Sequence, residues 1–372
     1  MTGAEALARL RLARTDGIGP LTIRRLLARY GSACAAIAAL PGLAARSGRP
    51  LALVPEAVAE REMAALDRMG GRFLFSGGPG YPPLLDLLED PPPALAMLGD
   101  PAALALRAVA VVGARNASAA GRRIAEELAE ALTRAGLAVV SGLARGVDAA
   151  AHLGALRSGR TIAAIAGGLD LPYPPENAAL QARIAAEGGA VMAEAPLGTA
   201  PLARHFPRRN RIVAGLALGV VVVEAAPRSG SLITARLALE TGRELFAVPG
   251  SPLDPRCRGS NDLIRQGAHL TETAEDVLAH LPDAPHPQAL FEPRPPLPEP
   301  EAAPEEPASS DDPDEGTTQV IEMLGTSPVA VDEVLRRCHL SASAVQAILL
   351  DLELAGRVEM LPGGRVALTG QG

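Results

Sequence analysis

The sequence contains no lysine: all 35 of its basic residues are arginine. That absence removes whole chemistries, because a Gly-x-x-x-x-Gly-Lys-Ser/Thr phosphate loop and a Schiff-base enzyme both need the lysine ammonium. Tryptophan is also missing and aromatics make up only 2% of the chain, so cores must be built from Leu, Ala, Val and Ile. Cysteine is scarce and odd in number; Cys34, Cys257 and Cys338 lie far apart, form no Cys-x-x-Cys and cluster with none of the six histidines. Neither a zinc site nor a disulfide frame is expected, no cofactor is implied, and a reducing cytoplasm fits best. No charge-free run of about 18 apolar residues occurs, and arginines at 9, 11 and 14 break any leader-like stretch. The expectation is a soluble, cytoplasmic protein without a membrane partner.

What is present is distributed unevenly. The net charge of −7 comes from one segment: residues 283–315 carry one Arg against ten acids, whereas residues 1–75 carry eleven against six. Residues 76–282 are almost balanced, with 19 against 20, and residues 316–372 have four against six. The acidic segment is rich in Pro, Glu and Asp with little to bury, which is the composition of a disordered linker. These shifts divide the chain into four parts: 1–75, 76–282, the linker 283–315, and 316–372.

The strongest local signal is Arg204-His205-Phe206-Pro207-Arg208-Arg209-Asn210-Arg211, four arginines around one aromatic, with no acid between Ala195 and Val223. Guanidinium forks bind phosphate oxygens bidentately, and an exposed Phe can take a base on its π face. The alternative is a solvated basic loop ahead of a helix.

Residues 3–14 and 21–29 have helical periodicity, separated by Asp16-Gly17-Ile18-Gly19-Pro20, a turn with Pro placed to start the second helix. This is a SAM/helix-hairpin-helix-like pattern, which offers backbone N–H groups to a phosphate with Arg24, Arg25 and Arg29 following. Leu40-Pro41-Gly42-Leu43 suggests a second hairpin turn. A small helical bundle used for packing fits these residues equally well.

From Ala108 onward, apolar runs alternate with helical patterns: Val109–Val112, Ala138–Ser141, Thr161–Ile165, Ala190–Ala193, Val220–Glu224 and Glu244–Val248. Six such runs predict an α/β fold, a Rossmann-like doubly wound and mostly parallel sheet, with ligands at the carboxyl ends of its strands. The following loops are rich in small residues, as at Gly113–Ser118, Ser141–Asp148, Ala166–Asp170 and Arg228–Ser231, and read as anion-binding helix starts. A dinucleotide cofactor is disfavoured because the first loop is not Gly-x-Gly-x-x-Gly and no carboxylate ends the second strand. Ser231 lacks a Gly-x-Ser-x-Gly elbow, and His152 on an Ala-rich helix reads as a packed histidine.

Taken in order, Gly-Ala-Arg (113–115), Ser-Gly-Leu-Ala-Arg-Gly-Val-Asp (141–148) with His152, Gly-Leu-Asp (168–170), Tyr-Pro-x-x-Asn (173–177), Phe-Pro-Arg-Arg-Asn-Arg-Ile-Val-Ala-Gly (206–215), Ser-Gly-Ser-Leu-Ile-Thr-Ala (229–235) and Val-Pro-Gly (248–250) closely resemble the DNA-processing protein A family. The resemblance implies a non-catalytic, homodimeric, single-stranded-DNA-binding recombination mediator. Such proteins protect incoming DNA during natural transformation and load RecA in the presence of single-strand-binding protein. By motif it implies that Arg115 holds a phosphate, that Phe206, Arg208, Arg209 and Arg211 line the strand path, and that Ser229, Gly230 and Ser231 contact phosphate. Ala114 replaces the family's usual serine, and Pro175 and Glu176 stand where many relatives have a lysine, so Arg145 or Arg204 is expected to supply that cation. The competing class is a nucleotide-binding or nucleoside-phosphate-cleaving enzyme on a related sheet. Its glutamate would follow Ser231 closely, yet the first acid there is Glu240.

Residues 317–324, 331–338 and 341–355 then read as helices, followed by a hairpin of 357–361 and 365–369, a winged-helix pattern. The would-be recognition helix holds Asp351 and Glu353 and no basic residue, which disfavours entry into a major groove and suggests protein docking, the alternative being a weak DNA contact through Arg357 and Arg365 on the wing.

Overall fold

The computed structural model describes residues 1–47, 52–283, 313–325, 327–338, 340–361 and 363–369. Most of the acidic segment, residues 284–312, lies outside them. The chain forms two compact units, one of residues 60–290 and one joining residues 1–59 to the C-terminal segment.

The chain begins with four helices: α1 (Gly3–Arg14), α2 (Pro20–Tyr30), α3 (Ala33–Ser47) and α4 (Glu56–Arg68). Gly17 turns at φ +83°, Gly19 caps α2 in an extended conformation, and Pro20 takes the first helical position, where its missing N–H costs nothing. Leu40–Leu43 does not form a second hairpin; Pro41 lies inside α3. The alanines preceding it favour helix, and Leu40, 3% exposed, is held in the apolar cluster of α1 and α2, so packing overrides the turn-forming dipeptide.

The larger unit is built on a nine-stranded sheet: β1 (Arg72–Phe75), β2 (Ala94–Gly99), β3 (Ala108–Val112), β4 (Ala138–Ser141), β5 (Thr161–Ile165), β6 (Ala190–Ala193), β7 (Gly219–Val222), β8 (Glu244–Ala247) and β9 (His269–Leu270). The order is β1-β2-β6-β5-β4-β3-β7-β8-β9. From β3 to β6 and from β3 through β7 to β9 the pairs are parallel, while β1 and β2 run antiparallel at one edge. The sheet thus winds outward both ways from β3, and its switch point lies between β3 and β7. Because β1 pairs with β2, residues 72–75 belong to this sheet rather than to the helical domain. The edge strands escape the alternating βα pattern because β1 and β2 follow each other without a long crossover helix.

Helices α5 (Pro83–Asp86), α6 (Ala119–Arg134), α7 (Val147–Ala155), α8 (Ala178–Ala186), α9 (His205–Gly215), α10 (Gly230–Glu240), α11 (Arg258–Arg265) and α12 (Ala274–His280) cover the sheet. Strand residues alternate between faces: Ala108, Ala110, Val112, Val220 and Val222 pack with residues of α9–α11, and Val109, Val111, Val221 and Val223 with α6, α7 and α12. Both faces are covered, so the strands read as unbroken Val/Ala runs. Among the described residues no helix is long and apolar enough to cross a membrane.

The C-terminal segment comprises α13 (Pro313–Glu322), β10 (Val329–Ala330), α14 (Val331–Arg337), α15 (Ala342–Leu354), β11 (Val358–Leu361) and β12 (Arg365–Leu368), with the strands ordered β10-β12-β11. This is a winged helix, with β11 and β12 as the wing.

His152, on α7, is fully buried with its Nδ1 2.7 Å from the Thr161 hydroxyl. That hydroxyl donates to the Val139 carbonyl, so it accepts from His152, and the ring is neutral with its proton on Nδ1. Burial, reinforced by the Arg209 charge, pushes the imidazole from its ordinary 6.5 down to about 3. Below pH 6.5 the unfolded chain therefore takes a proton that the folded chain refuses. Stability is complete above that pH and falls by roughly 1.4 kcal/mol per unit as pH drops toward 3. His152→Asn should remove this share of acid sensitivity, as read by urea denaturation at pH 7 and pH 5.

Candidate nucleic-acid interface

At the carboxyl end of the sheet, the loops after β3, β4 and β5 and the first turns of α9 enclose a cavity of about 680 Å³. Its floor depends on two glycines. Gly146 turns at φ +76°, and a Cβ there would sit 2.3 Å from the Ala114 carbonyl oxygen; Val147 donates its N–H to that same oxygen at 3.2 Å. A Cβ on Gly142 would collide with the guanidinium of Arg209. The second loop thus packs backbone to backbone on the first and lets Arg209 reach inward.

Arg209, 6% exposed, donates to the Ala164 carbonyl at 3.2 Å and lies 4.0 Å from the carboxylate of Asp148. Asp148 also accepts the N–H groups of Gly142 (3.2 Å) and Ala144 (3.4 Å). Burial raises the Asp148 carboxyl, and Arg209 and the two N–H donors oppose that rise. Burial likewise lowers Arg209, against the pull of Asp148. Between those amides Leu143 adopts φ +56°, an uncommon conformation for a branched side chain, with its carbonyl held by the Asn177 amide at 2.9 Å.

The cavity mouth is aromatic and cationic. Arg115 lies over the ring of Phe206, 4.7 Å from its centroid, and Tyr173 meets Phe206 edge-on at 6.0 Å. The whole chain has three tyrosines and five phenylalanines, so bringing one of each to a loop cluster is a concentrated use of them. Tyr173 is 46% exposed. Arg122, Asn116 and Glu126 add to the wall from the start of α6 and the loop before it. The two lining glutamates are engaged: Glu126 accepts from Arg157 at 2.5 Å, and Glu176 pairs with Arg145.

Of the residues singled out in the sequence, Arg115, Arg145, Phe206 and Arg209 line this cavity. Arg204 and Arg208 are exposed at the start of α9 and make no ion pair among the described residues. Two of the octet's arginines are not on its surface: Arg209 is buried as described, and Arg211 turns back to Glu194 at 2.5 Å and to the Asp90 carbonyl. At 3.6 residues per turn Arg209 faces away from Arg204, Arg208 and Arg211, which share a side; Arg211 leaves the surface through its pairing with Glu194. Ser229, Gly230 and Ser231 lie outside the cavity lining. Their hydroxyls bond each other at 2.7 Å, Ser229 caps α10, and Asn210 braces the turn through the Gly230 carbonyl.

The first-loop helix start is not an open anion site either. Glu224, at the end of β7 and 6% exposed, accepts from the Ser118 hydroxyl at 2.5 Å and the Ser118 N–H at 2.9 Å. Its carboxylate occupies the α6 N-terminus, and a Cβ on Gly121 would strike it. A protein carboxylate thus holds the switch-point position where a dinucleotide's pyrophosphate would bind. Among the described residues no group of three or more His, Cys, Asp or Glu side chains is arranged to hold a metal.

Residues 72–282 match the model of DNA recombination-mediator protein A, residues 3–65 a DprA-like N-terminal HHH domain, and residues 298–364 a DprA winged helix domain. The chain belongs to the DNA recombination-mediator protein A family. It is 39% identical over 331 residues to Protein Smf of Escherichia coli (strain K12), spanning 88% of this chain and 85% of that one. Among solved structures, DNA processing protein A from Streptococcus pneumoniae is 41% identical with a TM-score of 0.58, covering 62% of this chain and 80% of its own. DNA processing protein A from Helicobacter pylori, whose structure addresses a unique single-stranded DNA binding mode, is 31% identical with a TM-score of 0.51, covering 56% and 94%.

Removing Asp148 should expose how far this site depends on the buried pair. Asp148→Ala leaves the Arg209 guanidinium inside without its carboxylate and should cost about 3–5 kcal/mol in urea denaturation. Replacing both partners together, Asp148→Leu with Arg209→Met, should cost less than Asp148→Ala alone.

Proposed function

We propose that this chain binds single-stranded DNA across the cavity mouth and acts as a non-catalytic recombination mediator that protects incoming strands and loads RecA during natural transformation. The observation that carries the reading is the group of Arg115 layered on Phe206 with Tyr173 edge-on to it, flanked by the exposed cations Arg204 and Arg208. Phosphates meet guanidinium forks, while a base lies on the half-exposed face of Tyr173, an arrangement that reads a strand without reading its sequence. A duplex offers no such unstacked base. Arg209 and Arg211 support the path from within by fixing α9, and Arg145, released from Glu176, supplies a further phosphate contact. The reading includes a homodimer in the cytoplasm, with RecA and single-strand-binding protein as partners.

Fluorescence anisotropy of labelled poly-dT, with duplex and RNA competitors over a salt series, tests it. Binding should prefer the single strand, and log K should fall against log salt by about 0.7 per phosphate neutralised. Phe206→Ala and Tyr173→Ala should each weaken binding roughly ten- to a hundredfold, and Arg115→Ala should in addition flatten the salt slope. Absence of binding would favour a nucleotide ligand in the cavity, whereas normal binding by all three variants would place the strand away from these residues.

A further inference from the structure

Helix α15 has two apolar faces. Val345, Leu349 and Leu352 pack in the winged helix's own core, whereas Leu350 and Leu354 enter the cluster that α1, α2 and α3 form with Leu12, Leu26 and Leu40. At the edge of that seam, Arg25 reaches Glu353 at 3.1 Å and Arg29 stands 3.9 Å from Asp351. Glu353 is mostly buried, with its side chain 17% exposed. The recognition helix of the winged helix and the arginine-bearing helix of the hairpin therefore cover each other within one compact unit.

The charges on the two sides are those of a nucleic-acid contact with one partner exchanged. Arg25 and Arg29 lie one turn apart, forming a single cationic stripe on the helix that follows the Gly17–Pro20 turn. Opposite them α15 carries Asp351 and Glu353 and no basic residue along Ala342–Leu354. A helix of that composition gains nothing from phosphate, but it presents two carboxylates to guanidinium groups, as a DNA backbone would. We propose that the stripe of Arg25 and Arg29 on α2 is a binding surface for the backbone of duplex DNA, and that acidic α15 occupies it in place of phosphate until the seam opens. The winged helix is then an internal competitor for DNA rather than a reader of it. This is independent of the single-strand reading for the cavity.

Leu350→Asp in the full chain tests the idea, because it places a charge in the seam without touching the winged helix's own core. It also adds a negative charge, so any gain in DNA affinity cannot come from an added cation. Hydrogen exchange should show faster exchange in both α2 and α15, and anisotropy of a fluorescein-labelled duplex at low salt should show affinity rising about tenfold. Adding Arg25→Ala and Arg29→Ala should abolish the gain, whereas Arg115→Ala should leave it intact, which separates this surface from the cavity. If far-UV circular dichroism shows that Leu350→Asp loses its fold, Leu354→Ser opens the same seam more gently and should give a smaller gain in the same direction. An opened seam with duplex affinity within about twofold of the parent would overturn the proposal. So would exchange in α2 and α15 that neither substitution changes.

Discussion

The guanidinium of Arg209 is the constraint around which the site is organised. It ties the first turn of α9 to the end of β5 through the Ala164 carbonyl, and to the start of α7 through Asp148. Asp148 in turn fixes the amides of Gly142 and Ala144. A cation so deeply buried persists only while it is paired and hydrogen-bonded. The position of Phe206, three residues earlier on the same helix, follows from that anchor, and with it the stack under Arg115 and the edge-on contact with Tyr173.

A second internal charge decides where no ligand goes. The switch point between β3 and β7 is where open α/β sheets ordinarily bind nucleotides. Here Glu224 fills it, capping the α6 N-terminus through Ser118 and packing on Gly121. The open cavity is displaced toward β4 and β5, under exposed arginines and aromatics. Under the proposed reading, the open cationic mouth suits a strand, which can run across it without being enclosed.

The end domains follow the same logic. Acidic α15 packs on α2 and α3 through leucines, with two opposed charge pairs to α2 at the edge. The few aromatics are divided between two uses: Phe75, Tyr81 and Phe246 are buried in the larger unit among Leu, Val, Ile and Ala, whereas Phe206 and Tyr173 stand at the cavity mouth.

Much of this was legible in the residues. Unbroken Val/Ala runs separated by helices specify a parallel sheet covered on both faces whatever its loops do, and the glycines at 142 and 146 mark loops that must approach other atoms closely. The spacing Asp16–Pro20 specifies a turn and a helix start from local stereochemistry alone. Direction and partnership were not legible. Four arginines in eight residues look like one patch until the helix turns 209 inward and Glu194 draws in 211; Glu224 looks like the end of a strand until Ser118, 106 positions away, caps on it. Arg122 and Tyr173 join the wall only because helix and loop from different βα units meet there. Local periodicity sets which elements form, because each residue's backbone preference and apolar spacing act over a few neighbours. Which charges face water and which face each other was decided by tertiary contact, because burial and pairing depend on residues that the chain brings together only when it folds.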